Sequence, residues 1–251
     1  MSMARPAHRG LMRSALIYIL TAALLIGAIA EAATNLLDLS GAYVPKVMIA
    51  VIAGAALVLV GLPKHHPFGS FGPANQVTAA RGALVALLIG LIGERTDTGV
   101  PALASAVATA VAVLDGADGW LARRSQMASG FGARFDMETD ALLIMVLAVL
   151  AWQFGKAGVW VLASGLLRYA FVVAGVVLPW LRCPLPASQR RKAVAVVQVI
   201  ALILVIAPFV PTPVATAVAA LGLCALTLSF LKDILWLFQN SAQSRATASA
   251  R

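Results

Sequence analysis

The sequence contains few charged residues and little cysteine. Only 12% of its 251 residues are Asp, Glu, Lys or Arg. Soluble domains carry about twice that share, so an ordinary soluble globular protein is excluded. The two cysteines, Cys183 and Cys224, lie in or beside apolar segments that are far apart in the chain. We therefore expect them to be small buried hydrophobic residues, without a disulfide framework.

The sequence is instead rich in apolar residues. They make up 61% of the chain, and the mean hydropathy is +0.92. Eight apolar runs are each close to the roughly 20 residues that span a bilayer. The runs cover residues 14–30, 43–62, 77–93, 99–117, 138–154, 157–181, 193–210 and 213–237. The sequence thus predicts an all-α, polytopic integral membrane protein with about eight transmembrane helices, followed by a disordered polar tail at 239–251.

The basic residues indicate how these helices are oriented. If the N-terminus is cytoplasmic, only Lys46, Arg95 and Lys156 of the 19 lysines and arginines fall in connections on the opposite side. This asymmetry follows the positive-inside rule and predicts an inner (cytoplasmic) membrane protein. The net charge of +9 is therefore a topology signal. Because the basic residues are scattered through short connections, no nucleic-acid partner is expected, whereas membrane lipids are.

The first apolar run has a second interpretation. Basic residues, an apolar segment and the sequence Ala28-Ile29-Ala30 are also typical of a cleaved signal peptide. An uncleaved helix is favoured here, and either outcome leaves the orientation of the later helices unchanged.

Four aspartates between the fourth and fifth apolar runs carry the chemistry. Asp115 and Asp118 are three residues apart, and Asp136 and Asp140 are four apart, so each pair shares a helix face. Two unit charges about 4 Å apart repel by roughly 4 kcal/mol at an effective dielectric of about 20, so the group must become protonated, be spread apart or hold cations. Without a nearby His or Cys, these ligands favour Mg²⁺, Mn²⁺ or Ca²⁺. Two such ions are a common device for phosphoryl transfer.

Three further groups of polar residues lie at or within the apolar runs. Polar residues recur every three positions at the start of the third run, at Asn75, Thr78 and Arg81. Residues at such a place could simply cap the helix and anchor it to headgroups. Arg168 lies within the sixth run, where a charge is expensive, so we expect it to face the bundle and pair with an anion. Arg190, Arg191 and Lys192 precede the seventh run.

The spacing around the aspartates resembles the signature of the CDP-alcohol phosphotransferase (CDP-alcohol phosphatidyltransferase) family. The matching positions, at the family's spacing, are Asp115, Asp118, Gly119, Ala122, Arg123, Gly132, Asp136 and Asp140. The resemblance implies a six-helix core at 75–238, preceded by two additional helices within 1–74, and often a homodimer. Gly116, between the first two aspartates, is outside the signature.

The resemblance also implies a reaction. An acceptor hydroxyl attacks the β-phosphorus of a CDP-alcohol, here CDP-diacylglycerol, and CMP leaves during phospholipid biosynthesis. Two Mg²⁺ or Mn²⁺ ions would be held by Asp115, Asp118 and Asp136, with Asp140 sharing the metal site and acting as general base. The implied nucleotide-binding residues are Asn75, Thr78, Arg81, Gly119, Ala122, Arg123 and Gly132.

The acceptor alcohol is left open by the signature. A phosphorylated polyol, such as glycerol 3-phosphate or inositol phosphate, is favoured by the basic residues Arg168, Arg190, Arg191 and Lys192. Alternatively, Arg168 has a structural role and pairs with one of the cluster aspartates. A non-phosphorylated acceptor remains an alternative. A cation transporter would also carry intramembrane carboxylates, but it gives no reason for the Ala-Arg pair or the glycine spacing. A non-catalytic scaffold is disfavoured by the intact motif.

Overall fold

All regular secondary structure in the described part of the chain is helical. The computed structural model describes the backbone of residues 5–65, 67–97, 99–125, 129–183, 185–186 and 188–249. Side chains are described within these ranges except at 5–9, 63–65, 117–125 and 241–249. The α-helices are α1 (Arg5–Leu37), α2 (Tyr43–His65), α3 (Pro73–Gly90), α4 (Gly99–Ser125), α5 (Gly130–Gln153), α6 (Ala163–Val177), α7 (Gln189–Ile206) and α8 (Thr212–Ser249). Short 3-10 turns, Val159–Leu162 and Pro179–Arg182, flank α6.

Each α-helix coincides with one of the eight apolar runs, and the predicted all-α fold is confirmed. Five segments of the described chain are long and apolar enough to cross a membrane. They are Gly10–Leu37, Tyr43–Leu62, Gly99–Gly116, Val159–Val177 and Thr212–Asn240. Helices α3, α5 and α7 are missing from this set because each begins with charged or polar residues. The figure of eight spans therefore stays a prediction.

The outer surface of the bundle is apolar. Leu24, Leu36, Leu57, Val177 and Leu221 are each more than 70% exposed. Water would make such a surface costly, whereas lipid tails solvate it. Together with the long apolar helices, this surface marks an integral membrane protein.

Hydrogen bonds among four connections define one end of the bundle, called here the far end. The Glu94 side chain, between α3 and α4, accepts from the Ser40 N–H (2.9 Å) and from Lys46 Nζ (2.7 Å) near the α1–α2 connection. Gln153, at the end of α5, accepts from the Gly93 N–H at 2.7 Å. Lys156 Nζ donates to the Val210 carbonyl, which joins the α5–α6 and α7–α8 connections. Successive helices therefore run up and down, and the remaining connections lie at the opposite end, called the site end.

The Glu94 side chain gives a pH-dependent prediction. Burial opposes ionisation of this carboxyl, but the hydrogen bonds from Lys46 and Ser40 and the Lys46 charge outweigh it and hold the pKa of Glu94 below its ordinary value. A carboxyl with a lowered pKa in the folded state stabilises the fold above its unfolded pKa, and that stability is lost as pH falls through the folded pKa. We expect Glu94→Gln to reduce the free energy of unfolding by roughly 1.5–3 kcal/mol at neutral pH.

Thermal unfolding in detergent, at neutral pH and near about pH 3.5, checks this expectation. The deficit of Glu94→Gln relative to wild type should be smaller at the lower pH, because the wild-type side chain loses its charge as pH falls toward the folded pKa of Glu94. Glu31→Gln, at an exposed position of α1, is the matched control and should unfold like wild type at both values. A Glu94→Gln deficit of equal size at both pH values would contradict the argument.

Helix α5 is a central element of the bundle. It packs against α2, α3, α6 and α7. A Cβ on Gly165 of α6 would lie 2.6 Å from the Met145 Cα, so only glycine lets α6 approach α5 this closely. Buried side chains such as Leu143, Leu147 and Leu150 hold α5 in the main core. The polar first half of the same helix reaches the site end.

The division into segments 1–74, 75–238 and 239–251 stays a prediction. The backbone of α8 continues as helix to Ser249, within the segment for which the composition predicts disorder.

Candidate functional site

Three helices bring the predicted site residues together at the site end. Asp115 lies near the end of α4, Asp136 and Asp140 lie in the first half of α5, and Arg81 lies in α3. Helix α3 packs against both α4 and α5, so it lies beside Asp115 on one helix and beside Asp136 and Asp140 on the other. The cluster of Asp115, Asp136 and Asp140 around Arg81 is called here the aspartate cluster.

Arg81 is the centre of the aspartate cluster. Its side chain is only 1% exposed, and its Nη1 contacts Asp115 at 2.9 Å and Asp136 at 2.5 Å. Its Nη2 donates to Asp140. The three carboxylates are half-buried, and the fixed fork of a guanidinium can bridge several of them at once. Arg81 therefore supplies positive charge that keeps the carboxylates close.

The donor set of the aspartate cluster fits a hard divalent cation. One oxygen from each of Asp115, Asp136 and Asp140 lies within 4.8 Å of the others. Oxygens that share one ion at about 2.0–2.6 Å are at most about 5 Å apart, so these three are at a suitable spacing. All three ligands are carboxylates, the type that Mg²⁺ and Mn²⁺ prefer.

The start of α3 places the polar triad that precedes Arg81. Gly72 has a φ of 79°, a left-handed conformation that glycine adopts without strain, and Pro73 opens the helix. Asn75, Thr78 and Arg81 follow on one helix face and are all buried, at 4%, 3% and 1% exposure. The predicted common face is thus present, and it is directed into the protein.

The start of α5 lies directly against this triad. Ser129 caps the helix, because its Oγ accepts from the Gly132 N–H at 3.0 Å. A Cβ on Gly132 would come within 2.7 Å of the Asn75 Oδ1 atom, so a side chain at 132 would displace Asn75. The Asn75 Nδ2 group donates to the Phe71 carbonyl at 2.6 Å. Asn75 and Gly132, which are far apart in sequence, therefore form one surface.

Four residues of the predicted site fall outside the described side chains. They are Asp118, Gly119, Ala122 and Arg123, which belong to the last turns of α4. Their assignments stay predictions.

Comparison with known proteins decides the family. A family model described as CDP-alcohol phosphatidyltransferase matches residues 72–231, which is more than half of the chain. The chain belongs to this family. Comparisons with curated proteins and with solved structures gave no match.

Enzymes of the CDP-alcohol phosphatidyltransferase family transfer a phosphatidyl group from a CDP-alcohol to an alcohol, and they typically use a divalent metal. The matched region begins immediately before α3 and includes the whole aspartate cluster. Helices α1 and α2 precede it. The family membership that the aspartate motif predicts is confirmed.

Arg168, predicted as an acceptor-binding residue, forms an ion pair in this family member. Its Nη2 atom lies 2.5 Å from the Glu138 Oε1 atom. Glu138 is on α5, two residues from both Asp136 and Asp140, and so points away from them. Arg168 thus has an anionic partner, as expected, but among the described contacts that partner is Glu138 and not an aspartate of the cluster.

The predicted basic group at the start of α7 meets the site end of α8. Arg190 contacts Asp233 at 2.5 Å and donates to the Ser229 hydroxyl at 2.6 Å. Arg191 lies 3.5 Å from the same carboxylate, and Lys192 is exposed. A groove of about 310 Å³ opens here, lined by Leu185, Pro186, Ser188, Arg190, Arg191, Lys232, Asp233 and Trp236.

Several residues that shape the site were missed by sequence reasoning. Asp233 is a lone carboxylate in the apolar sequence LKDILW, and that isolation was a usable signal. Ser129, three residues before Gly132, matched the pattern of a helix cap. Phe71 gave no signal, because its role depends on a backbone carbonyl that accepts from Asn75.

Proposed function

We propose that the protein transfers the phosphatidyl group of CDP-diacylglycerol to the hydroxyl of an acceptor alcohol and releases CMP. The aspartate cluster carries this proposal, because three carboxylates within 4.8 Å lie inside the part of the chain that matches the family. The apolar outer surface supports a lipid substrate, since it places the protein in the bilayer where diacylglycerol chains are located.

Asp115, Asp136 and Asp140 are proposed to hold divalent ions, with Asp118 completing the set from the motif. Two Mg²⁺ or Mn²⁺ ions, when bound, would neutralise the pyrophosphate and the charge that develops on the CMP leaving group.

Asp140 is proposed as the general base. The acceptor oxygen forms a bond to the β-phosphorus, its proton passes to the Asp140 carboxylate, and the bond from that phosphorus to the CMP oxygen breaks with its electron pair. Asp140 suits the role because it lies four residues, or about 6 Å, further along α5 than Asp136, and its side chain is still 33% exposed.

Asn75, Thr78, Arg81 and Gly132 are proposed to bind the nucleotide, together with Gly119, Ala122 and Arg123. The close approach of Asn75 to Gly132 supports this, because it places a side-chain amide of α3 directly against the backbone at the start of α5. A buried amide and hydroxyl at this point provide the polar groups that orient a base or ribose.

A phosphorylated polyol is proposed as the acceptor. Arg190, Arg191 and Lys232 line the groove at the site end, where only one carboxylate, Asp233, is among the described lining residues. Such a groove would attract a phosphate. Arg168 and Lys192 remain part of this proposal. An exchange of the Glu138 carboxylate for the acceptor phosphate would free Arg168 to take part.

The proposal places the site end in the cytoplasm, at the inner membrane, and includes a homodimer. The distribution of basic residues supports this orientation. Among the described cations, only Lys46, Arg95 and Lys156 lie at or beside the far-end connections, whereas those toward the site end include Arg134, Arg182, Arg190, Arg191, Lys192 and Lys232. The mass of the detergent-solubilised protein tests the dimer.

An acceptor panel tests the substrate assignment. Purified protein with CDP-diacylglycerol and Mg²⁺ or Mn²⁺ is offered glycerol 3-phosphate, inositol phosphate, serine, choline or inositol, and the lipid product is identified by mass. We expect a new phospholipid with one of the two phosphorylated polyols. A product formed only with serine, choline or inositol would contradict the phosphorylated acceptor while leaving phosphatidyl transfer in place.

A further inference from the structure

Helices α1 and α2 lie outside the family match, yet their site-end portions pack against the start of α3 and α5. Six buried residues form a separate apolar group here, called the Phe71 cluster. Its members are Leu11, Ala15, Val58, Leu62, Phe71 and Phe131. The first four come from α1 and α2, and the two phenylalanines immediately precede functional segments of the core.

A short chain of contacts links α1 to the site. Ser14 Oγ accepts from the Phe71 N–H at 3.2 Å. The carbonyl of the same Phe71 accepts from Asn75 Nδ2 at 2.6 Å. The Oδ1 atom of Asn75 in turn lies against Gly132, 2.7 Å from the position that a Cβ would occupy. Both backbone groups of one residue are therefore used, one toward α1 and the other toward Asn75.

Helix α2 acts on the other side of the same surface. A Cβ on Gly61 would lie 3.2 Å from the Phe131 ring, so α2 approaches this ring closely. Phe131 immediately precedes Gly132, and its ring lies 5.8 Å, between centroids, from that of Phe135, the residue before Asp136. The two additional helices thus contact Phe71, whose carbonyl holds Asn75, and Phe131, which directly precedes Gly132.

We propose that α1 and α2 position the nucleotide-binding surface, with Ser14 as the positioning residue that fixes Phe71 and hence Asn75. This inference rests on the proposed nucleotide role of Asn75 and Gly132. Ser14 contacts no aspartate of the cluster among the described residues, so its effect falls on substrate binding and leaves the chemical step largely unchanged.

Direct binding of CDP-diacylglycerol to the full-length protein, in detergent with Mg²⁺, tests the proposal together with steady-state kinetics. One hydrogen bond contributes about 0.5–1.5 kcal/mol, so Ser14→Ala should weaken binding and raise KM about two- to thirteenfold, with kcat nearly unchanged. Ser14→Thr keeps the hydroxyl and should restore affinity. Thr21→Ala, which removes an exposed hydroxyl of the same helix, is the matched control.

The outcomes separate the two claims. If the wild-type protein binds CDP-diacylglycerol and Ser14→Ala binds it with the same affinity, the positioning role alone is overturned. A loss of stability with unchanged KM would also overturn it, because that is the result of a purely structural contact. Failure of the wild-type protein to bind CDP-diacylglycerol would overturn the proposed function and this inference together.

Discussion

Asp140→Asn is expected to abolish measurable turnover while CDP-diacylglycerol binding stays close to wild type. The amide cannot accept the proton of the attacking hydroxyl, and loss of a general base costs about 10²–10⁴ in rate. Its carbonyl oxygen can still contribute to a divalent ion, because Mg²⁺ and Ca²⁺ accept amide oxygens as ligands. The amide oxygen at position 140 also remains within reach of Arg81, so the variant should fold.

Two measurements on Asp140→Asn, CMP release and the affinity for CDP-diacylglycerol, separate these effects. Asp97→Asn makes the same chemical change in an exposed far-end connection and should match wild type in both. Full activity of Asp140→Asn would remove the general-base role. Loss of binding together with activity would instead assign Asp140 to substrate or metal binding alone.

Arg81→Ala is expected to make the stability of the protein strongly dependent on divalent cations. The substitution leaves Asp115, Asp136 and Asp140 close together without the buried guanidinium that contacts all three. Each pair of charges at about 4 Å repels by roughly 4 kcal/mol at an effective dielectric of about 20. Cations that bind the folded state should restore stability as their concentration rises above Kd.

Thermal unfolding with a chelator and with added Mg²⁺ or Mn²⁺ measures this dependence. We expect the cation-induced rise in Tm to be much larger for Arg81→Ala than for wild type. Arg81→Lys should be intermediate, since an ammonium keeps the charge but cannot bridge three carboxylates. Arg182→Ala, at an exposed site, is the control. An Arg81→Ala protein as stable as wild type in chelator would contradict the central role of Arg81.

Hydropathy was sufficient to predict the helices, but it did not predict their ends. The apolar run 138–154 became α5 (Gly130–Gln153), because Ser129 starts the helix eight residues before the run begins. Polar residues within a helix, including Asp136, do not alter its backbone hydrogen bonds. The number of membrane spans also stays a prediction, because α3, α5 and α7 each combine an apolar half with a polar or charged half.

Spacing along the chain predicted shared helix faces in the site, but it did not predict contacts between helices. The periodicity of Asn75, Thr78 and Arg81 correctly indicated one face, and the structure adds that Arg81 reaches the aspartates on both neighbouring helices. The partners of Arg168 and Arg190 depend on how α5 packs on α6 and α7 on α8. That packing is set by side-chain volume and by close glycine contacts such as Gly165, which one sequence does not reveal.

The most direct test of a metal-dependent phosphatidyl transfer site is CMP release from CDP-diacylglycerol by the wild-type protein, measured with the acceptor panel as Mg²⁺ or Mn²⁺ is titrated. The account predicts no release in chelator and a saturable, acceptor-stimulated release as the ion concentration rises. Release that is unaffected by chelator would contradict the role assigned to the aspartate cluster. The proposed function itself would be contradicted if the protein did not bind CDP-diacylglycerol and if proteoliposomes containing it took up metal ions.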